Sequence, residues 1–454
     1  MKMKKWGKFP GGLFILLLVV SLGAFIFVEE SHPLKKDRPN IVIILSDDQG
    51  FGDVSYQDHP KEINTPAIDK LAAQGVVFTN GYASAYVCAP TRAGLLTGRY
   101  QQRFGFYRAS DSRIGMPLSE ITLAEVLKKE GYTTGVFGKW HLGLTKEYHP
   151  CSRGFDEFYG FLGHGAHDYF DYSCAEDSDD FHQCIYRNFN TISDKGYLTD
   201  NLAREACSFI TSNANKKNPF FLYLPFNAVH TPMQAPEEDI ARFNTGDDKR
   251  DILLAMLYRM DVAIEQVIST LKKERVYDNT IIFFLSDNGG AKASSANNLP
   301  LRDFKHSVYE GGFRVPFIMS WPDKLKHAVC DEPVISIDIM PTVCGALNIE
   351  LPNDRIYDGK NMLNAISGDL KQALHNELYF DGNDDTWAVR EGNWKLLFSK
   401  KGNMELYNLD ADLSEKDNLA FQNQDKTDEL KSKYEKWRSE MGEPIRPNNK
   451  KKKK

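Results

Sequence analysis

The sequence predicts an α/β domain built on a mostly parallel sheet flanked by helices, followed by a small α+β region. Three observations carry this. Continuous apolar runs of strand length recur through residues 38–370. Between them lie helices with legible caps and an apolar face at helical spacing. Beyond residue 370 the texture changes to short strands joined by a tight turn, then one charged helix. A strand that is apolar on both faces must be covered on both faces, which a parallel sheet between helical layers provides.

In chain order, Lys2, Lys4, Lys5 and Lys8 precede a run at 13–28 that is apolar apart from Ser21 and Gly23. A basic start before such a run reads as a secretory signal over residues 1–30. An uncleaved membrane anchor is the alternative, the run being on the short side for a span, which needs about 20 apolar residues. The expectation is an exported chain, periplasmic or secreted. After a polar linker at 31–39, residues 41–45 form a buried strand that ends in Ser46-Asp47-Asp48. Thr65-Pro66 opens a helix, Thr as cap and Pro in the first turn, with Ile68, Leu71 and Ala72 on one face and Gly75 as its end. Thr122 and Glu125 form a capping box ahead of Leu123, Val126 and Leu127, and Gly131 stops that helix. Strands follow at 134–137, 220–224 and 281–285. Between the last two, residues 252–271 carry Leu253, Met256, Leu257, Met260, Ile264, Val267, Ile268 and Leu271 at helical spacing. In the region 371–447, strands at 387–390 and 394–398 flank Glu391-Gly392-Asn393 as a hairpin, another strand lies at 405–408, and a helix lies at about 425–441. The run 448–454, ending in five lysines, reads as a solvated tail.

At 454 residues and 42% hydrophobic the chain can bury a large core and exceeds one average domain. A formal net charge of -6 argues against a nucleic-acid binder, which shows a basic face. Seven cysteines leave one unpaired or committed to chemistry. Cys174 and Cys184 flank a short polar segment and could pair, whereas Cys151, Cys207, Cys330 and Cys344 cannot be assigned from spacing.

Two strands end alike, one in Ser46-Asp47-Asp48 and the other in Ser286-Asp287-Asn288-Gly289. Ligands of open α/β sheets sit outside the carboxyl ends of strands. Three carboxylates and an amide delivered there make an all-oxygen site suited to Ca²⁺ or Mg²⁺. A dense group at 164–172 (His164, His167, Asp168, Tyr169, Phe170 and Tyr172) has the composition of a sugar subsite or, equally, of a packed loop.

The segment from Val87 through Cys88-Ala89-Pro90-Thr91-Arg92 to Thr97-Gly98-Arg99 resembles the signature of the sulfatase family. Further family-like motifs follow in order: Gly138-Lys139-Trp140-His141-Leu142-Gly143, Ala228-Val229-His230-Thr231-Pro232, Ser286-Asp287-Asn288-Gly289-Gly290, Lys305, and Tyr309 through Pro316. The likeness continues at Ala388-Val389-Arg390 and Glu405-Leu406-Tyr407. One departure is Asp303-Phe304 before Lys305, where many members are glycine-rich. The resemblance implies an alkaline-phosphatase-like α/β fold with a small C-terminal α+β domain. It implies one Ca²⁺ held by Asp47, Asp48, Asp287, Asn288 and the modified Cys88, and sulfate binding and catalysis by Cys88, Arg92, Lys139, His141, His230 and Lys305. It also implies that a formylglycine-generating enzyme oxidises Cys88 to formylglycine before or during export.

Charge logic agrees. A sulfate monoester shields its sulfur with anionic oxygens, so attack needs those oxygens neutralised by cations. The resemblance assigns attack to one hydroxyl of the hydrated aldehyde, with Asp287 as base. His230 would protonate the departing alcohol, and His141 would draw a proton from the second hydroxyl so that sulfate is expelled. Both histidines are expected to titrate near neutrality. Sulfated carbohydrate is the expected substrate. The competing readings are a phosphomonoester or phosphonate ester hydrolase of the same superfamily, which would often need a second metal set, and a non-catalytic glycan-binding relative, which would lack one of these positions.

Overall fold

A computed structural model of the chain describes residues 38–57, 62–163, 165–174, 183–368, 372–382 and 384–446. The apolar segment at 13–28, His164 and the lysine tail lie outside the described residues. Among the described residues, no helix is long and apolar enough to cross a membrane.

The strands, in chain order, are β1 (Asn40–Ser46), β2 (Val76–Phe78), β3 (Gly81–Tyr82), β4 (Thr133–Lys139), β5 (Glu157–Phe161), β6 (Ile185–Arg187), β7 (Asn190–Ile192), β8 (Phe220–Pro225), β9 (Thr280–Ser286), β10 (Phe317–Ser320), β11 (Ala328–Cys330) and β12 (Val334–Ile335). Ten of them make one sheet in the order β11-β2-β10-β9-β1-β8-β4-β5-β6-β7, and β3 pairs with β12 apart from it. The centre is parallel: β9, β1, β8, β4 and β5 all run one way. Antiparallel β10 and β6 flank that centre, as edges of large sheets often do. The alternation of side chains along β1 splits its residues between two cores. Val42 and Ile44 face a cluster shared with α1 (Pro66–Gln74) and two longer helices, Leu198–Ala214 and Asp248–Lys273. Ile41, Ile43 and Leu45 face a second cluster on the opposite side, with α2 (Cys88–Thr97) and α3 (Leu123–Lys129). Burial on both faces is why the strand sequences show no polar alternation.

The C-terminal part is an antiparallel meander, β13 (Leu378–Asp381), β14 (Trp387–Glu391), β15 (Trp394–Phe398) and β16 (Met404–Asn408), covered by the helix Gln424–Ser439. Its turn is Gly392-Asn393, with Gly392 at φ 55°. Its core is continuous with Tyr82, Tyr100, Phe313 and Ile335 of the preceding region. Cys174 and Cys184 form a disulfide, and the other five cysteines, Cys88 among them, are free thiols.

Candidate active site

The site lies at the carboxyl ends of β1, β9 and β4 and at the N-terminus of α2. In the register of β1 with β9, Ser46 stands beside Ser286, so the residues that follow each strand emerge side by side. Asp287 N donates to Ser46 O at 3.1 Å, and Asp48 N donates to Asp287 Oδ1 at 3.3 Å. Asp48 adopts φ 59°, a left-handed conformation uncommon for a residue with a Cβ and concentrated at functional sites. His141, two residues beyond β4, does the same at φ 60°.

Helix α2 starts at Cys88. Pro90 sits in the first turn, where a missing N–H costs nothing, and Gly98 closes the helix at φ 67° with its N–H on Gly94 O. Cys88 and Arg92 are four residues apart and therefore share a face. The Cys-x-Pro-x-Arg spacing thus delivers a thiol and a cation to one helix face, at the helix end whose dipole favours anions.

Arg92, Lys139, Lys305, Asn288 and His230 meet the carboxylates of Asp47, Asp48 and Asp287 here, beside Cys88. Arg92 Nε and Nη2 donate to Asp287 Oδ2 at 3.1 and 2.7 Å, Nη2 donates to Asp47 Oδ2 at 2.9 Å, and Nη1 donates to the Lys139 carbonyl at 2.8 Å. Lys139 Nζ is 2.5 Å from Asp47 Oδ2. Lys305 Nζ is 2.6 Å from Asp48 Oδ1 and 4.0 Å from Cys88 Sγ. Asn288 Nδ2 donates to Asp48 Oδ1 at 2.8 Å, and His230 Nε2 is 3.6 Å from Asp48 Oδ2. Cys88, Asp47, Asp48, Asp287, Asn288, Arg92, Lys139 and His141 are all buried. The geometry adjusts the part assigned to Arg92: its guanidinium is engaged by the two carboxylates and a carbonyl, so it orients Asp47 and Asp287.

The charges explain the titration. Asp287 is pushed up to about 6 by burial and by its neighbour Asp47, against the pull of Arg92. Burial also works to raise Asp48, but Lys305 and His230 outweigh it and hold that carboxyl well below its usual range. Burial pushes the Cys88 thiol up, with Lys139 and Lys305 opposing. Burial pushes His230 below its ordinary value, with Asp48 and Asp47 opposing.

The donor set suits a hard cation. Asp47 Oδ1 and Asn288 Oδ1 are buried and accept no hydrogen bond from the described residues. A buried carboxylate or amide oxygen left so costs free energy unless another partner takes it. Donor atoms of Asp47, Cys88 and Asp287 lie within 4.8 Å of one another, as do those of Asp47, Asp48 and His230. Three carboxylates and the three cations Arg92, Lys139 and Lys305 cancel, so a divalent cation would make the site net positive.

Of the described residues 165–172, most turn inward. His167 is buried between the carbonyls of Asp168, at 2.6 Å, and Gln183, at 2.8 Å. Tyr169 is buried with its hydroxyl under the His230 loop. His167, Tyr169 and Tyr172 pack within the loop, while Phe170 and Asp171 are exposed. The Asp303 departure has a conformational reading: Asp303 sits at φ 70°, the left-handed region that a glycine would take without strain. Lys305 still reaches Asp48. Sequence reasoning missed His306, whose ring centre is 6.1 Å from that of Tyr86 and which burial and Lys305 push below its ordinary titration range. It also missed the Tyr223 hydroxyl, buried within electrostatic reach of Arg92. A lone histidine, and a tyrosine inside an apolar strand, give no signal in sequence.

Family comparison matches residues 39–349 to the model described as Sulfatase and residues 303–440 to that described as N-sulphoglucosamine sulphohydrolase, C-terminal. The chain is 30% identical over 480 residues to the uncharacterized sulfatase YdeN of Escherichia coli strain K12, covering 86% of this chain and 83% of that protein. It is 32% identical over 412 residues to the N-acetylgalactosamine-6-sulfatase of Mus musculus, covering 84% and 75%. Among solved structures, that of Ps i-CgsB in complex with k-i-k-neocarrahexaose matches with a TM-score of 0.85 and 35% identity, over 90% of this chain and 94% of that one.

Proposed function

The chain belongs to the sulfatase family and is a sulfuric ester hydrolase, and from that premise we propose that it removes sulfate from sulfated carbohydrates outside the cytoplasm, using a formylglycine made from Cys88 and one Ca²⁺. The observation that carries this reading is the placement of Cys88 at the N-terminus of α2, 4.0 Å from Lys305 and on one helix face with Arg92. The carbohydrate class is supported by relatives that act on or bind sugars, the N-acetylgalactosamine-6-sulfatase and the neocarrahexaose complex. Export is supported by the basic and apolar residues 2–28.

The hydrated aldehyde would supply one hydroxyl to attack sulfur and a second whose deprotonation lets sulfate depart. Asp47, Asp48, Asp287 and Asn288 would hold the cation, which would supply positive charge against the sulfate oxygens. Arg92 fixes the Asp47 and Asp287 carboxylates in place. Lys139 and Lys305 bring positive charge to the ester, in a dry pocket where each contact is stronger than in water. Asp287, whose carboxylate lies with Cys88 and Asp47 in one cluster, would accept the proton that the attacking hydroxyl loses. His230 presents Nε2 to the pocket for the departing alcohol, and His141 stands buried at the end of β4 for the second hydroxyl. The two candidate metal clusters among the described residues share Asp47, which favours a single centre over the two-metal arrangement of many phosphatases.

The test is chemical. Protein from a host that modifies sulfatases is treated with an aldehyde-reactive hydrazine, and the Cys88 peptide is identified by mass, with Cys88→Ala as the blank. Capture at Cys88 together with loss of turnover in the variant is the expected result. An unmodified thiol in an active preparation would overturn the proposed nucleophile.

A further inference from the structure

His230 stands on a loop rather than at a strand end, so something other than the sheet must aim it. The turn Asn227-Ala228-Val229-His230 is held on one side by the Asp47 backbone: Asp47 N donates to Ala228 O at 2.9 Å, and Val229 N donates to Asp47 O at 2.8 Å. Its other side rests on one phenol. Tyr169 Oη lies 2.7 Å from Asn227 O and 2.9 Å from His230 O, and so spans both ends of the turn. Tyr169 is wholly buried, in a stack with Tyr197 at 5.3 Å between ring centres. The same segment grips the loop a second time. Tyr169 N donates to Gln234 Oε1 at 2.9 Å, and Gln234 Nε2 donates to Asp168 Oδ2 at 2.7 Å. The His230 ring takes its direction from the adjoining backbone of its loop, since Nδ1 is 2.8 Å from Thr231 O, which leaves Nε2 to face Asp48. Whatever fixes the His230 carbonyl therefore fixes Nε2.

We propose that Tyr169 is a positioning residue that aims His230 Nε2 at the leaving-group oxygen, and that the Asp168–Tyr169 grip on the Asn227–Gln234 loop suits the enzyme to alcohols that depart poorly, as sugar hydroxyls do. The proposal rests on the reading of His230 as leaving-group acid. A phenol that only fills space would give, on deletion of its hydroxyl, a uniform loss or none. An aiming phenol gives a loss that grows with the basicity of the leaving group, because an acidic phenol departs without a proton and a basic one does not.

The experiment measures kcat and KM on a series of substituted phenyl sulfates, from the nitrophenyl to the methoxyphenyl ester. It compares wild type, Tyr169→Phe and His230→Ala. Gln234→Ala is a second probe of the grip at a partly exposed position that leaves the buried phenol in place. Thermal unfolding of each variant is run alongside. The expected result for Tyr169→Phe is kcat within about threefold of wild type on the nitrophenyl ester and at least about tenfold lower on the methoxyphenyl ester. Gln234→Ala is expected to shift the same way by less, and KM is expected to change little in both. A leaving-group-dependent loss in His230→Ala with a flat response in both grip variants overturns the positioning role and leaves the acid standing. A flat response in His230→Ala overturns the acid, and this inference with it. If Tyr169→Phe does not fold, the Gln234→Ala series decides alone by the same criterion.

Discussion

Arg92 and Asn288 show what single residues contribute at this site. Arg92 is a buried cation whose cost is offset by two carboxylates, and burial notwithstanding they hold its guanidinium protonated, above its ordinary value. The planar fork serves both acids at once, which a lysine ammonium cannot do. Asn288 gives its amide hydrogens to Asp48 and Gly289 and keeps a buried oxygen with no donor among the described residues, the signature expected of a cation ligand. Adding Ca²⁺ to chelator-treated protein is expected to raise the unfolding temperature, since a ligand at 100 times its Kd stabilises by about 2.7 kcal/mol. Asn288→Ala is expected to lose most of that rise, and calorimetric titration should find Ca²⁺ binding weaker by on the order of tenfold. Equal calcium responses in variant and wild type would remove Asn288 from the ligand set. The identities of these residues were legible in the sequence because their motifs are contiguous. The engagement of Arg92 by two acids was not, because Asp47, Arg92 and Asp287 are far apart along the chain.

At the scale of elements, the site depends on backbones that approach closely where strands end. A Cβ on Gly289 would lie 1.8 Å from Gly311 O, and Gly289 N donates to Gly312 O at 3.0 Å. Gly289→Ala must therefore push the turn Glu310–Phe313 away from Asn288. The expected outcome is a loss of several degrees in thermal midpoint together with weaker Ca²⁺ binding, read by the same titration; an unchanged midpoint would mean that the two turns are not tightly packed. Strands and capped helices were the readable elements. The Thr122 and Glu125 box forms as expected, with Glu125 N on Thr122 Oγ1 at 3.1 Å and Thr122 N on Glu125 Oε2 at 2.7 Å. Helix α2, which presents Cys88, left no pattern, because all ten of its residues are buried and a helix with no wet face has no periodicity to read. Strands β5 and β10 were likewise missed, the first interrupted by Gly160 and the second only four residues long.

Across the whole molecule, a buried charge network ties the C-terminal sheet to the site. Lys395 on β15 lies 2.9 Å from Glu310 and 2.9 Å from Glu415, and Glu310 N donates to Glu415 Oε2 at 2.7 Å. Burial pushes Glu415 from 4.5 up to about 7 despite Lys395, whereas Glu310 is held at about 2 because Lys395, Arg314 and Arg390 outweigh burial. Folded Glu415 therefore keeps a proton that the unfolded chain has lost between about pH 4.5 and about 7, and its contribution to stability falls as pH rises through that window. Glu310 has the opposite sign, and its contribution is lost as pH falls from about 4.5 towards 2. Glu415→Gln removes the first titration. Its unfolding temperature relative to wild type is expected to be more favourable at pH 8 than at pH 5, and an equal difference at both would show that Glu415 does not titrate in that range. The sequence by itself determined the class of fold and the apolar runs of the parallel strands, because burial on both faces is written locally, and its contiguous motifs named the residues proposed for the site. Only the tertiary structure decided which acid Arg92 and each lysine would face, that Asp168 and Tyr169 hydrogen-bond the loop that carries His230, and that the C-terminal sheet shares a core with the region before it. Those outcomes depend on contacts between segments far apart in the chain, and no local pattern encodes a partner that folding alone brings near.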